Sequence, residues 1–180
     1  MDFLSLDASV AITGISRSTL WRRVTDGSIG RGDKDGRSRA MLALVDVLAL
    51  TAVALAAEDV ALLLLADGGD ADAQADMGAL FYMAGAHKAA WYWLNEAAAQ
   101  GHAEAMYWLA TACAGGGGMG GMGGVVPKDA HLAIMWLAKA AAQGHLIAAQ
   151  QMAGLLPGAL PDASAGPGGA MVSARPALMG

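Results

Sequence analysis

The sequence predicts a mainly α fold, in which a helix-turn-helix head is followed by an α-solenoid of stacked helical hairpins. Three observations carry this. The peptide Trp93-Leu-Asn-Glu-Ala-Ala-Ala-Gln-Gly-His102 returns as Trp136-Leu-Ala-Lys-Ala-Ala-Ala-Gln-Gly-His145, 43 positions later and with two differences. Repetition of Ala-rich helical sequence at a fixed period is the mark of stacked hairpins, each burying its apolar face on the next. A pattern of small and large apolar residues recurs between the copies, as Ala73-xxx-Met77-Gly78, Ala105-xxx-Leu109-Ala110 and Ala148-xxx-Met152-Ala153. Finally, the first forty residues read helix, glycine turn, helix, and they are basic where the rest is acidic.

Charge divides the chain as the pattern does. Residues 1–39 hold seven Arg and Lys against five Asp, while residues 40–180 hold four against eleven acids, for a net charge of −5 over 180 residues. A basic head on an acidic body points to two surfaces with different partners. The composition is 56% hydrophobic, much of it Ala, which suits helices in close contact. We divide the chain into a head with a connecting helix at 1–66, repeats at 67–157 and a Gly/Pro/Ala-rich flexible tail at 158–180.

In the head, Leu6 to Thr13 reads as a short helix, Thr13-Gly14 as a tight turn, and Ser16 to Asp26 as a second helix with Ser16 as N-cap and Gly27 as stop. Leu20 and Val24 share one face of that helix, with Ile15 and part of Trp21 beside them. Ser18, Arg22 and Thr25 point away. Such a helix, seated by its apolar stripe and presenting Ser and Arg outward, has the physical form of a recognition helix. Candidate DNA contacts are therefore Ser16, Arg17, Ser18, Arg22 and Arg23.

The run Gly14-Ile-Ser-Arg-Ser-Thr-Leu-Trp-Arg22 resembles the winged helix-turn-helix of the excisionase and MerR-like DNA-binding families, over about forty residues. The resemblance implies a β-hairpin wing in the Gly-rich segment 30–39, with Arg31, Lys34, Arg37 and Arg39 near the phosphate backbone. Asp33 and Asp35 depart from the pattern, since acids at a wing tip oppose phosphate, and Ala40-Met41 replaces the expected aromatic residue. The competing reading is a small helical cap whose basic residues serve solubility.

From Val45 to Ala66 the sequence predicts one or two apolar helices that pack on both head and body. Asp46, Thr51, Glu58 and Asp59 interrupt the apolar run, so no membrane span is expected. Asp67-Gly-Gly-Asp70 marks a break and a new helix start. The body then alternates helices from Asp72, from His87 to Gln100, from Ala105, from Asp129 to Gln143 and from Ala148.

These residues resemble the Sel-one-like repeat family, relatives of the tetratricopeptide repeats. Family units run Ala-xxx-Leu-Gly-xx-Tyr-xx-Gly, a Gly-Val-xx-Asp turn, Lys-Ala-xx-Trp and a closing Ala-Ala-x-Gln-Gly. Here Val125-Val-Pro-Lys-Asp129, Ala133-xx-Trp136 and Ala140 to Gly144 fit best, and Ala84-Gly-Ala-His87 is a shortened turn. The third unit is only its first helix, capping the stack. Such repeats imply a protein or peptide partner. Trp93 and Trp136 hold the repeat's core position, whereas Trp91, Tyr92, Tyr107 and Trp108 lie off it and are the candidate partner-binding residues.

Residues 115–124, with eight glycines, read as a flexible inserted loop whose Met119 and Met122 are able to grip an apolar surface. The loop lacks the Lys-Ser or Lys-Thr of a phosphate loop. His102 and His145 recur because the unit recurs and read as exposed loop residues; His87, His131 and Cys113 lack partners for metal or catalysis. No cofactor, metal or enzymatic activity is expected. One cysteine and an N-terminus without a secretory pattern fit a reducing compartment, so the expected protein is a bacterial cytoplasmic DNA-binding transcription regulator or accessory factor. The alternative is a non-enzymatic adaptor whose head no longer binds DNA.

Overall fold

A computed structural model describes residues 2–115 and 129–155. It is mainly α: nine helices and one two-stranded sheet stand among the described residues. The head opens with strand β1 (Phe3–Ser5) and helix α1 (Leu6–Thr13), capped by the Ser5 side chain, which accepts the Ala8 amide. Gly14 closes α1 at φ 66°, a left-handed backbone that glycine adopts without strain. Helix α2 (Arg17–Thr25) follows, capped by Ser16 accepting the Thr19 amide. Strand β2 (Met41–Ala43) pairs antiparallel with β1, in the register Phe3↔Ala43 to Ser5↔Met41, and runs into α3 (Leu44–Leu48). Leu4, Leu20, Leu42 and Val47 are fully buried where these elements meet.

The wing departs from its expected form. Residues 30–32 return beside β2 through the bridge Arg31↔Leu42 and the amide bonds Ala43 to Gly30 and Gly32 to Met41, but no hairpin of two full strands forms. The reason lies in Asp35. Its carboxylate accepts the amides of Arg37 and Arg39 and the Arg39 guanidinium, folding the segment into a compact turn where a longer ladder would run.

The connector is helix α4 (Ala57–Gly68), reached through an irregular stretch after α3. Asp59 accepts the Ala56 amide at its start, and Gly69 at φ 99° ends it. Near its end Asp67 is buried and accepts both the amide and the hydroxyl of Ser5, at 2.9 and 2.5 Å. A single carboxylate thus ties the connector to the first strand of the head.

The body consists of α5 (Ala71–Met83), α6 (His87–Ala99), α7 (Ala103–Gly115), α8 (Ala130–Ala142) and α9 (Leu146–Leu155). α5 packs on α6 and α7 on α8, as consecutive hairpins do, and α6 meets α7 and α8 meets α9. The anticipated close approach is real: a Cβ on Gly78 of α5 would lie 2.6 Å from the Leu94 side chain of α6. The buried residues of head and body join in one continuous core, from Leu4 through Phe81 and Trp93 to Ala148. No described helix is long and apolar enough to cross a membrane. Residues 116–128 and 156–180 lie outside the described residues, and with them all but Gly115 of the glycine-rich stretch 115–124, with its Met119 and Met122, most of the turn at 125–129 and the whole tail 158–180.

Candidate functional site

Leu20 seats α2 on the head, fully buried, and this turns the opposite face of the helix to solvent. Ser16, Arg17, Ser18, Trp21 and Arg22 are exposed, and Arg23 is half-buried on the flank. They do not stand equally free. The Ser16 hydroxyl is committed to the helix start, with the Thr19 amide at 3.2 Å and the Thr19 hydroxyl at 2.9 Å. Arg17 forms an ion pair with Asp7 of α1. Arg22, by contrast, meets no carboxylate within ion-pair distance among the described residues. Beside it, the Asp26 carboxyl is held below its usual range, first by the Ser28 hydroxyl and amide, against the opposing effect of burial, and then by Arg22 and Arg23.

Trp21 was counted partly with the apolar stripe, yet it is 39% exposed and lies under the Arg31 guanidinium, 5.2 Å from the ring centre. The indole bridges α2 and the 30–39 segment, so that Arg31 stands next to the helix face. The signal was its place one residue after Leu20, which rotates it about 100° from the buried line. Leu6, Ser16, Arg17, Ser18, Trp21 and Ala40 enclose a shallow groove here.

The other wing residues part ways. Lys34 is exposed at the turn. Arg37 donates to the Gly68 carbonyl at 2.8 Å, reaching from the head to the end of α4. Arg39 is half-buried between Asp35 and Asp67, each at 2.7 Å, with only 23% of its side chain exposed. Arg39 therefore departs from the expected phosphate-facing role, since the Asp35 carboxylate and the buried Asp67 carboxylate hold it at the head–body junction, while Arg37 stays exposed and spends one donor on the Gly68 carbonyl. Burial opposes the charged forms here, but the hydrogen bonds and charges win, lowering the Asp35 carboxyl and raising the Arg39 guanidinium.

The four aromatic candidates of the body are all half-buried and are not brought into one groove. Trp91 and Tyr92 line a crevice under the turn of the head, with Val10, Gly14, Ile15 and Lys88. Burial first, and the nearby Glu96 carboxylate second, raise the Tyr92 phenol well above its ordinary value. Trp108 packs on Tyr82, ring centres 5.4 Å apart, and Tyr82 on His87 at 5.7 Å. Tyr107 stacks on His145 at 4.4 Å and 17°. Trp93 is buried as the repeat position requires, but Trp136 is only half-buried, its ring covered by the Lys139 ammonium at 4.5 Å. The equivalence fails because α6 packs on α5, α7 and α1, whereas the main neighbours of α8 among the described residues are α7 and α9 and Trp136 lines an open crevice beside Asn95 and Ala98 of α6.

The repeated histidines were read as exposed loop residues, and the structure corrects this. His102 Nδ1 accepts the Ala105 amide and its Nε2 lies 3.0 Å from Asp72; His145 Nδ1 accepts the Ala148 amide and its Nε2 lies 2.8 Å from Glu104. Asp70 caps α5 in the same place, accepting the Ala73 amide. Each histidine caps one helix and fastens it to the equivalent helix of the preceding unit. Its position three residues before the recurring Ala was the available signal. Cys113 is buried, and burial first and Asp129 second raise its thiol. Among the described residues no three His, Cys, Asp or Glu are grouped so as to hold a metal ion.

These features define a mainly helical protein with a basic helix face on its head and aromatic crevices along its body. Compared with family models, with curated proteins and with solved structures, the chain matches none.

Proposed function

We propose that this chain is a DNA-binding regulator or accessory factor, with a winged helix-turn-helix head that contacts duplex DNA and a Sel-one-like helical body that docks a protein partner. The observation that carries the reading is the outer face of α2, where Ser18 and Arg22 stand exposed above buried Leu20 with Arg31 held beside them on Trp21. Arginines so placed serve phosphate contact or guanine recognition, and Lys34 extends the same charge. The repeated cap and bolt of His102 and His145 support the solenoid. The single cysteine goes with a cytoplasmic site of action.

Titration of the full chain against duplex DNA at two salt concentrations tests this. Binding with a steep salt dependence is expected, and Arg17→Ala/Arg22→Ala should weaken it and flatten the salt slope by about one unit per lost phosphate contact. Binding that is absent at low salt, or indifferent to both changes, defeats the reading.

A second reading, an adaptor whose head makes no DNA contact, is favoured by the internal engagement of Arg17, Arg37 and Arg39. In that case the basic residues serve to fix the head on the body, and the same titration shows no binding.

A further inference from the structure

The two hairpin units differ where their helices enclose a crevice. In the first, Tyr82 of α5, His87 of α6 and Trp108 of α7 pack their rings together. The doubled peptide aligns the second helix of each unit, and the Ala73, Ala105 and Ala148 pattern aligns the first. In that alignment the three rings correspond to Ala114 of α7, Ala130 of α8 and Gln151 of α9. Those residues, with Tyr107, Ile134 and Leu137, line an open and largely apolar crevice of about 610 Å³ between α7, α8 and α9. A volume of this size lies within the roughly 300–1,000 Å³ of ordinary ligand pockets. At these three positions the second copy thus carries no ring where the first places its own aromatic side chains.

We infer that this crevice receives an aromatic side chain from a basic peptide segment of a partner protein. The rings of the first unit define the chemistry of the occupant, since the same helix geometry there closes on indole, phenol and imidazole. Charge defines its surroundings: among the described residues no Lys or Arg lines the crevice, while Glu104 holds the His145 ring that stacks on lining Tyr107 and Asp129 caps the α8 end that carries Ala130. The whole chain beyond residue 39 is acidic, which attracts a basic segment. An aromatic anchor in a pocket with a charged rim is the common economy of peptide docking. The inference rests on the reading of the body as a docking module and is independent of DNA binding by the head.

The test uses the full chain and two short labelled peptides of Lys, Ala and Ser, one with a central Trp and its twin with Ala there, followed by fluorescence anisotropy. The Trp peptide should bind at least about tenfold more tightly than the twin, and added salt should weaken it. Ala114→Tyr/Gln151→Trp, which copies Tyr82 and Trp108 into exposed positions, should abolish that preference while leaving the thermal midpoint unchanged or higher. Should the double variant fail to fold, Gln151→Trp alone should reduce the preference severalfold. Equal binding of the twins, or full binding by the refilled variant, overturns the inference. So does a dimer in sedimentation that the refilling dissolves, since the occupant is then a second copy. Duplex titration of the same variants separates the two readings, because refilling the crevice leaves DNA binding by the head untouched.

Discussion

His145 Nε2 lies 2.8 Å from Glu104 Oε2 while its Nδ1 accepts the amide of Ala148, so one imidazole is both the N-cap of α9 and its fastening to α7. The pair is half in solvent, with 51% of the Glu104 side chain exposed, and its charge contribution is correspondingly small. The cap is the larger effect. His145→Ala should cost about 1 kcal/mol through the lost cap, seen as a lower urea midpoint. His145→Asn, which keeps a cap acceptor but cannot reach Glu104 in the same way, should recover most of that loss. The geometry also requires the Nε2–H tautomer for the neutral ring, at His102 as at His145, which nitrogen chemical shifts report directly. An Nδ1–H signature at either ring contradicts the cap.

Arg39 and Asp67 form the corresponding tie between head and body. Asp67 is buried and its carboxylate is shared between Ser5 and Arg39, so removal of the guanidinium leaves a desolvated charge with only Ser5 to answer it. Fully buried pairs cost about 3–5 kcal/mol when broken in this way. With 23% of the Arg39 side chain exposed, water relieves part of this, and Arg39→Ala should cost roughly 2 kcal/mol. Arg22→Ala, on an exposed side chain, should change stability by less than about 0.5 kcal/mol. Equal effects of the two changes in urea unfolding would refute the assignment of Arg39 to the junction.

Asp35 sets a pH limit. Its folded-state carboxyl lies below the ordinary value of 3.8, so the folded chain binds this proton less readily than the unfolded chain does. Its stabilisation is therefore present above that ordinary value and is lost as pH falls through the lowered one. Asp35→Asn should reduce stability at neutral pH and flatten the decline below about pH 4, where the ordinary carboxyl titrates. Parallel stability curves for the variant and the parent from pH 7 down to about 2.5 contradict this.

Much of the architecture was legible because helix patterning is local. The cap Ser16, the turn at Gly14, the helix starts at Asp70 and Asp129 and the helix ends at Gln100 and Gln143 stand within a residue of where sequence reasoning places them, since each signal acts on backbone within three or four residues. What escaped were pairings over long separations. Arg39 with Asp67 spans 28 positions, His145 with Glu104 spans 41 and Ser5 with Asp67 spans 62, and no periodicity reports such choices. The candidate site suffered from the same limit. The direction of α2 followed from Leu20, but which arginines remain available depended on acceptors supplied by Asp7, Gly68 and Asp67 from other elements. Trp91 and Tyr92 were recognised as lying off the core position, while the head that covers them was not visible from the body's own pattern.

Two helical glycines separate local preference from packing. Gly68, in the last turn of α4, has open space where a Cβ would stand, and Gly78 in the middle of α5 faces Leu94 at 2.6 Å with the Leu94 backbone nitrogen at 3.2 Å. Alanine improves helix propensity by up to about 1 kcal/mol at either place. At Gly68 nothing opposes that gain, so Gly68→Ala should be neutral or stabilising. At Gly78 the Leu94 side chain has to move and the backbone approach resists, and overpacking of this kind costs about 1–3 kcal/mol. The second effect exceeds the first, so Gly78→Ala should destabilise the chain by about 1 kcal/mol net. Because α5 and α6 form the first hairpin, the same change should also shift the near-ultraviolet signal of Trp93, which is buried on α6 one residue before Leu94. A Gly78→Ala protein as stable as the Gly68→Ala protein would mean that the two helices do not approach as closely as their small-residue pattern indicates.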